Sequence, residues 1–207
     1  MAADKTQAWA YAEDIALDTE EFSATRAGAD EIGVNPVSPA TGTLLRLIAA
    51  NVQHAVEVGT GSGLSGLYLL TANPNLILTT IDVDSEAQSV AREAFARAGI
   101  RPSRSRIING RSADLLPRLA DSSYDLVFLD GAPSETPGDV EEALRILRPG
   151  GILAIDRALL GGKVADPARR EPDTVAMRNV IRDLSEGDHL TSLVPIGSGL
   201  LLVRKNA

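Results

Sequence analysis

A chain of 207 residues, 44% hydrophobic and 23% charged, is long enough to bury a sizeable core as one globular domain. Its net charge of −8 argues against nucleic-acid and membrane-surface partners, since both are met with clustered Lys and Arg, and leaves a small molecule or a protein. The absence of cysteine excludes disulfides and thiolate metal sites. No window approaches 18 apolar residues, and the acidic opening "MAADKTQAWAYAEDIALDTEEF" lacks the apolar stretch of a secretion signal, so the expectation is a cytoplasmic protein.

Residues 1–35 read as helical; the two prolines of "NPVSPATG" (35–42) interrupt them before "TLLRLIAANV" resumes a helix. Residues 1–50 are thus predicted to form an N-terminal helical layer on a sheet spanning 51–207, in a single domain. Five short apolar runs follow, "HAVEVG" (54–59), "LILTTID" (76–82), "SRIIN" (105–109), "YDLVFLD" (124–130) and "GILAID" (151–156), with the continuous apolarity of parallel strands buried on both faces. Between them, Ala87, Val90, Ala91, Ala94, Phe95 and Ala98 make a helical stripe, with Ser85 and Gln88 at capping-box spacing. Val140, Ala143, Leu144 and Leu147 make a second stripe, stopped by "PGG", and Met177, Val180, Ile181 and Leu184 a third. The runs 190–196 and 200–205 are separated only by "GSG", too short for a crossover helix, and are expected to pair as an antiparallel hairpin. The pattern predicts a doubly wound α/β sheet with a C-terminal hairpin, its ligand over the carboxyl ends of the strands.

The first strand runs into "EVGTGSGLSG". Counted from Gly59, where the first strand ends, a dinucleotide fingerprint would need glycine at Leu64, and a phosphate-binding loop counted from Gly61 would need Lys and Ser or Thr at Leu67 and Tyr68. What remains is E-x-G-x-G-x-G, with Asp82 closing the second strand where a carboxylate can chelate ribose hydroxyls. This resembles the seven-stranded, Rossmann-like methyltransferases, whose ligand is S-adenosylmethionine. That ligand carries no phosphate and has cationic amino and sulfonium groups, so an acid such as Glu57 suits it, while glycine lets the backbone approach closely.

With "NPVSPATGTLLRLIAA", "VEVGTGSGLSGLYL", "YDLVFLDGAP" and "LRPGGILAIDRALLGGKVADP" in order, residues 30–205 resemble the bacterial O-methyltransferases of the catechol and caffeoyl-CoA type. The resemblance implies cofactor contacts at Val37, Glu57, Gly59, Thr60, Gly61 and Ser65, a ribose acid at Asp82, an adenine platform at Val83, an adenine-edge contact at Ser112, and Asp130 near the sulfonium. It also implies a homodimer through the N-terminal helices. Metal-dependent relatives hold a divalent cation with that Asp and an Asp-Asn pair ending the fifth strand; here the pair is Asp156-Arg157, and the usual lysine base is replaced by Pro133.

The expectation is therefore methyl transfer to a small-molecule hydroxyl without a divalent metal. Asp130 or Asp156 is the candidate base, and Arg157, paired to one of them, assumes part of the cation's electrostatic role. The alternative is a cofactor-binding regulatory protein with a degenerate catalytic half. A nucleotide oxidoreductase is disfavoured by Leu64, and methylation of base amino groups by "LDGAP" in place of an Asn/Asp-Pro-Pro-aromatic run. His54 and His189 fall at strand starts, away from the ligand. Trp9 and Tyr11 read as core or interface packing residues, ahead of a role covering the acceptor site, and Lys163, Arg169 and Arg170 sit in a loop that would favour an acidic acceptor if it faced the pocket.

Overall fold

The computed structural model describes residues 5–16 and 18–206; residues 1–4 and 17 of the expected helical layer and residue 207 of the expected sheet span lie outside them. Helices α1 (Lys5–Asp14), α2 (Glu20–Glu31) and α3 (Pro39–Ala49) precede the sheet. The strands are β1 (His54–Val58), β2 (Ile77–Asp82), β3 (Ser105–Asn109), β4 (Tyr124–Leu129), β5 (Leu147–Ile155), β6 (Leu190–Val194) and β7 (Leu200–Arg204). Between them lie α4 (Leu64–Ala72), α5 (Ser85–Arg97), α6 (Ser112–Leu115), α7 (Thr136–Ile146) and α8 (Pro172–Glu186). The sheet order is β3-β2-β1-β4-β5-β7-β6, with β7 antiparallel to both its neighbours. The chain winds outward from β1 in one direction and then from β4 in the other, so the switch point falls between β1 and β4.

Period-two alternation sorts the strand side chains into two cores. Ala55, Leu126 and Phe128 face Leu45, Leu67, Tyr68 and Phe95 on the side of α3, α4 and α5. Val56, Val58, Val127 and Leu129 face Val140, Ile146, Met177 and Val180 on the side of α7 and α8. Glu57 lies between Val56 and Val58 and therefore points to the α4 side, where it is fully buried.

Several local readings need correction. The N-terminal helical stretch is two helices, and α3 begins at Pro39 rather than after "NPVSPATG": the Ser38 hydroxyl accepts from the Thr41 N–H at 3.2 Å, and Pro39 fits the first turn, where no N–H is required. Asp84, not the Ser85–Gln88 pair, caps α5, accepting from Glu86 and Ala87 N–H groups at 2.9 and 3.1 Å. Gln88 instead donates to the Ile108 carbonyl at 2.8 Å. α7 starts at Thr136 and ends where Leu147 turns extended, so β5 begins before "PGG", with a register shift that leaves Ile152–Ile155 as its regular ladder.

Candidate active site

Val58 pairs with Ile81 and Leu129, and Leu129 pairs with Ile155, so four strands end in one row. Gly59, Asp82, Asp130 and Asp156 stand one step beyond it. Backbone bonds join these ends, from Gly59 N to Ile81 O (2.9 Å), Asp130 N to Val58 O (2.8 Å) and Asp156 N to Leu129 O (2.9 Å). Gly59 has φ +94°, and a Cβ there would lie 2.5 Å from the Asp130 carbonyl oxygen, so only glycine lets β1 and β4 close up at the switch point.

Two acids hold the glycine turn from below. Asp82 accepts from Gly61 N–H through one oxygen and from Asp84 N–H through the other, both at 2.9 Å, which leaves each oxygen a lone pair for a further donor. The Thr80 hydroxyl donates to Glu57 Oε2 at 2.6 Å and lies 2.7 Å from the Thr60 hydroxyl; having spent its one proton on Glu57, Thr80 accepts from Thr60. Burial pushes the Glu57 carboxyl up to about 7, against the lowering effect of the Ser65 and Thr80 hydroxyls. Its Oε1 is buried with no hydrogen-bond partner among the described residues.

Over the strand ends lies a cleft of about 270 Å³ lined by Asp82, Val83, Ser112, Asp130 and Arg157, among others. Val83 is 66% exposed there, an apolar face beside a carboxylate. Next to it, Asn35, Pro36 and Val37 close over Gly59, Thr60, Gly61, Ser65 and Asp130, leaving a slot of about 20 Å³. Beyond Arg157 opens a second cavity of about 470 Å³, lined by Pro133, Arg157, Leu160, Lys163, Glu171, Asp173, Thr174 and Ser198. Arg157 is thus the wall the cleft and the outer cavity share.

Arg157 adopts the left-handed conformation, φ +53°, which an Arg rarely takes and which asparagine tolerates better. Its Nη2 donates to the carbonyls of Asp130 (2.6 Å) and Gly131 (2.9 Å) and lies 2.7 Å from Asp130 Oδ1, so of the two expected acid partners it takes Asp130. Burial raises the Asp130 carboxyl well above the usual carboxylate range; Arg157 opposes that shift, while Asp156 and Glu57 add to it. Asp156 is pushed up to about 6, again chiefly by burial. Among the described residues, no three His, Cys, Asp or Glu side chains are grouped to hold a metal ion.

The site residues expected from sequence therefore converge, with two distinctions. Glu57 lies beneath the turn rather than on a cavity wall, and Asp156 is buried at the end of β5 and lines neither the cleft nor the outer cavity. Lys163 faces the outer cavity, whereas Arg169 is engaged with Asp166 and Glu171. His54 opens β1 and His189 precedes β6, at the far end of the sheet. Sequence reasoning missed Thr80, whose signal was a polar pair inside an apolar strand, and Glu13, Arg26 and Ser198, for which local spacing offers no signal.

A cleft over the strand ends at the switch point, with a carboxylate at the end of the neighbouring β2, is where doubly wound α/β proteins hold their ligands, and comparison with known proteins narrows the class. The O-methyltransferase family model matches residues 19–206, and the chain belongs to that family. It is 45% identical over 197 residues, 93% of this chain and 88% of the other, to a Mycobacterium tuberculosis (strain H37Rv) protein called a probable O-methyltransferase. A crystal structure from Corynebacterium glutamicum superposes with TM-score 0.88 at 34% identity, covering 95% of this chain and 94% of that one. The O-methyltransferase TomG of Streptomyces achromogenes, involved in tomaymycin synthesis and solved with S-adenosylmethionine, gives 0.83 at 26% identity, with 92% of each chain covered.

Proposed function

We propose that this O-methyltransferase uses S-adenosylmethionine to methylate a hydroxyl of a small molecule held in the outer cavity, and that it does so without a divalent metal. The observation that carries the reading is Arg157, whose guanidinium stands between the cleft and the outer cavity and sets a positive charge 2.7 Å from Asp130 Oδ1, where a cation would need to sit.

The residues fit the cofactor. Asp82 has lone pairs to spare for two ribose hydroxyls, the exposed Val83 offers a face to an adenine ring, and Ser112 borders the same cleft. Gly59, Thr60, Gly61, Ser65 and Val37 enclose the slot for the amino-acid end, which requires the 34–37 segment to give way, since about 20 Å³ holds little more than a water. Glu57 acts through the turn, by the Thr80–Thr60 relay, and adds negative potential beneath it. When bound, S-adenosylmethionine supplies an electrophilic methyl group on a sulfonium.

The chain's own contribution is positioning and electrostatics. Asp130, which lines the cleft beside Arg157 and whose carboxyl burial and the neighbouring Asp156 raise well above the usual carboxylate range, receives the acceptor's proton, with Asp156 behind it as the other candidate base. Arg157 provides a fixed positive charge for the ionised oxygen, with planar donors and no exchangeable ligand sites. A divalent ion brought to about 4 Å from it would be repelled by on the order of 8 kcal/mol at an effective dielectric near 20.

The mixed lining of the outer cavity, Lys163 against Glu171 and Asp173, suits a polar acceptor. Trp9 and Tyr11 remain exposed on α1, which supports a homodimer through the N-terminal helices, checked by mass in solution at micromolar concentration. No helix among the described residues is long and apolar enough to cross a membrane, and the net charge disfavours nucleic acid, so the reading is a cytoplasmic enzyme of small molecules. The test is calorimetric titration with S-adenosylhomocysteine followed by methyl transfer to a panel of phenols and hydroxy acids. Binding without transfer to any acceptor would favour the regulatory alternative.

A further inference from the structure

The geometry points to Glu13 of α1 as a positioning residue whose single carboxylate couples the wall of the cofactor slot to the wall of the acceptor cavity. The inference rests on the reading of these two cavities given above and extends it to how they act together.

One oxygen of Glu13 accepts from the Ser38 hydroxyl at 3.1 Å and from the Gly197 N–H at 2.7 Å; the other accepts from the Ala40 N–H at 3.1 Å. Ser38 follows Val37, which closes the slot, and Gly197 precedes Ser198, which lines the outer cavity. The two segments meet so closely that a Cβ at Gly197 would lie 2.9 Å from the hydroxyl oxygens of both Ser38 and Thr41. The hairpin turn is tied in its own right to the end of β5, as Leu159 N–H donates to the Ser198 carbonyl and Ala158 N–H to that of Gly199, both at 2.9 Å. Arg26 of α2 grips the other side of the same segment, donating to the Val37 carbonyl at 2.6 Å and to Asp18 at 2.8 Å.

A charged acceptor satisfying two backbone N–H groups from segments far apart in sequence makes stronger bonds than a neutral one would. Its effect follows from the narrowness of the slot: the 34–37 segment must shift to admit the cofactor, and Glu13 carries any such shift to residues 195–199. Cofactor binding thereby sets the acceptor wall, and the reactants meet at a defined separation. Were Glu13 only a charge at the start of α3, Gly197 would gain nothing from it.

The experiment uses the full chain, S-adenosylhomocysteine as probe, and Glu13→Ala and Glu13→Gln variants at a temperature well below unfolding. Hydrogen exchange is followed in segments 34–42 and 195–199, and ligand release by stopped flow. In wild type, the probe protects both segments. In Glu13→Ala it protects 34–42 alone, and release quickens roughly tenfold, as expected for losing hydrogen bonds to a charged group. Glu13→Gln, which keeps one accepting oxygen and the same shape, falls between and decides the matter if the alanine variant does not fold. Equal transmitted protection in wild type and variants, or none at 195–199 in wild type, overturns the coupling. Failure of wild type to bind the probe overturns the cofactor assignment and the coupling with it, whereas binding and coupling without methyl transfer count against the proposed function alone.

Discussion

Glu57→Gln isolates a cost that burial imposes on the turn. Glu57 is buried with its carboxyl raised from the usual 4.5 to about 7, so the folded chain holds this proton more tightly than the unfolded chain does. A raised carboxylate lowers stability as pH climbs from the unfolded value to the folded one. At about 1.4 kcal/mol per unit the loss approaches about 3 kcal/mol, complete above pH ~7.5. Glutamine keeps the shape and the contact with Thr80 but carries no proton to lose. Urea denaturation of both proteins at pH 5, 6, 7 and 8 and fixed ionic strength yields the difference; the Asp156 contribution is common to both, and the part of the Asp130 shift that the Glu57 charge causes is removed with it, in the same direction. The variant is expected to gain on wild type by about 2.5 kcal/mol between pH 5 and 8, with the gain levelling off above pH ~7.5. Parallel curves throughout, or a wild type that gains on the variant, would refute the desolvated, relay-bonded Glu57.

Three other outcomes are expected. Asp82→Ala should weaken S-adenosylhomocysteine binding by about 1.5 to 3 kcal/mol and lower the melting temperature, since Gly61 and Asp84 lose their acceptor along with the ligand; an unchanged dissociation constant by calorimetry would mean that the ligand does not sit over β2. Gly59→Ala should destabilise the fold by more than about 1 kcal/mol in denaturant titration, from the positive φ and the collision with the Asp130 carbonyl, and a neutral result would contradict the close approach of β1 and β4. In the pH profile of kcat/KM, an acidic limb above the usual carboxylate range is expected, with rate rising as Asp130 ionises, and Asp130→Asn should remove or displace it; a limb indifferent to that change would take Asp130 out of proton transfer.

The sheet was legible because β1, β2, β4 and β5 are short apolar runs ending in a glycine or an acid, and those endings form the row beneath the cleft. Asp82 and Asp130 could be read in place for that reason, and Gly59 because the turn after a first strand demands its conformation. Helix boundaries were less legible where two signals compete: Pro39 reads as a breaker until Ser38 is seen to cap, and Asp84 outcompetes Ser85 because its carboxylate reaches two N–H groups. Glu57 was found by its spacing, but its position under the turn follows from strand alternation and the Thr80 partner on the neighbouring strand. The contacts of Glu13 with Ser38 and Gly197 join segments 25 and 184 residues away, and no local pattern encodes such a meeting.

The most direct test of the proposed chemistry is methyl transfer by wild type and Arg157→Asn after exhaustive chelation, with and without restored magnesium, using the acceptor panel described above. The expected result is a wild-type rate that chelation leaves within twofold, and a variant slowed roughly tenfold or more that magnesium partly restores through the regained Asp-Asn pair. A wild type silent in chelator and rescued by magnesium, or a variant whose rate and metal response match wild type, would contradict the assignment of Arg157 to the place of the metal.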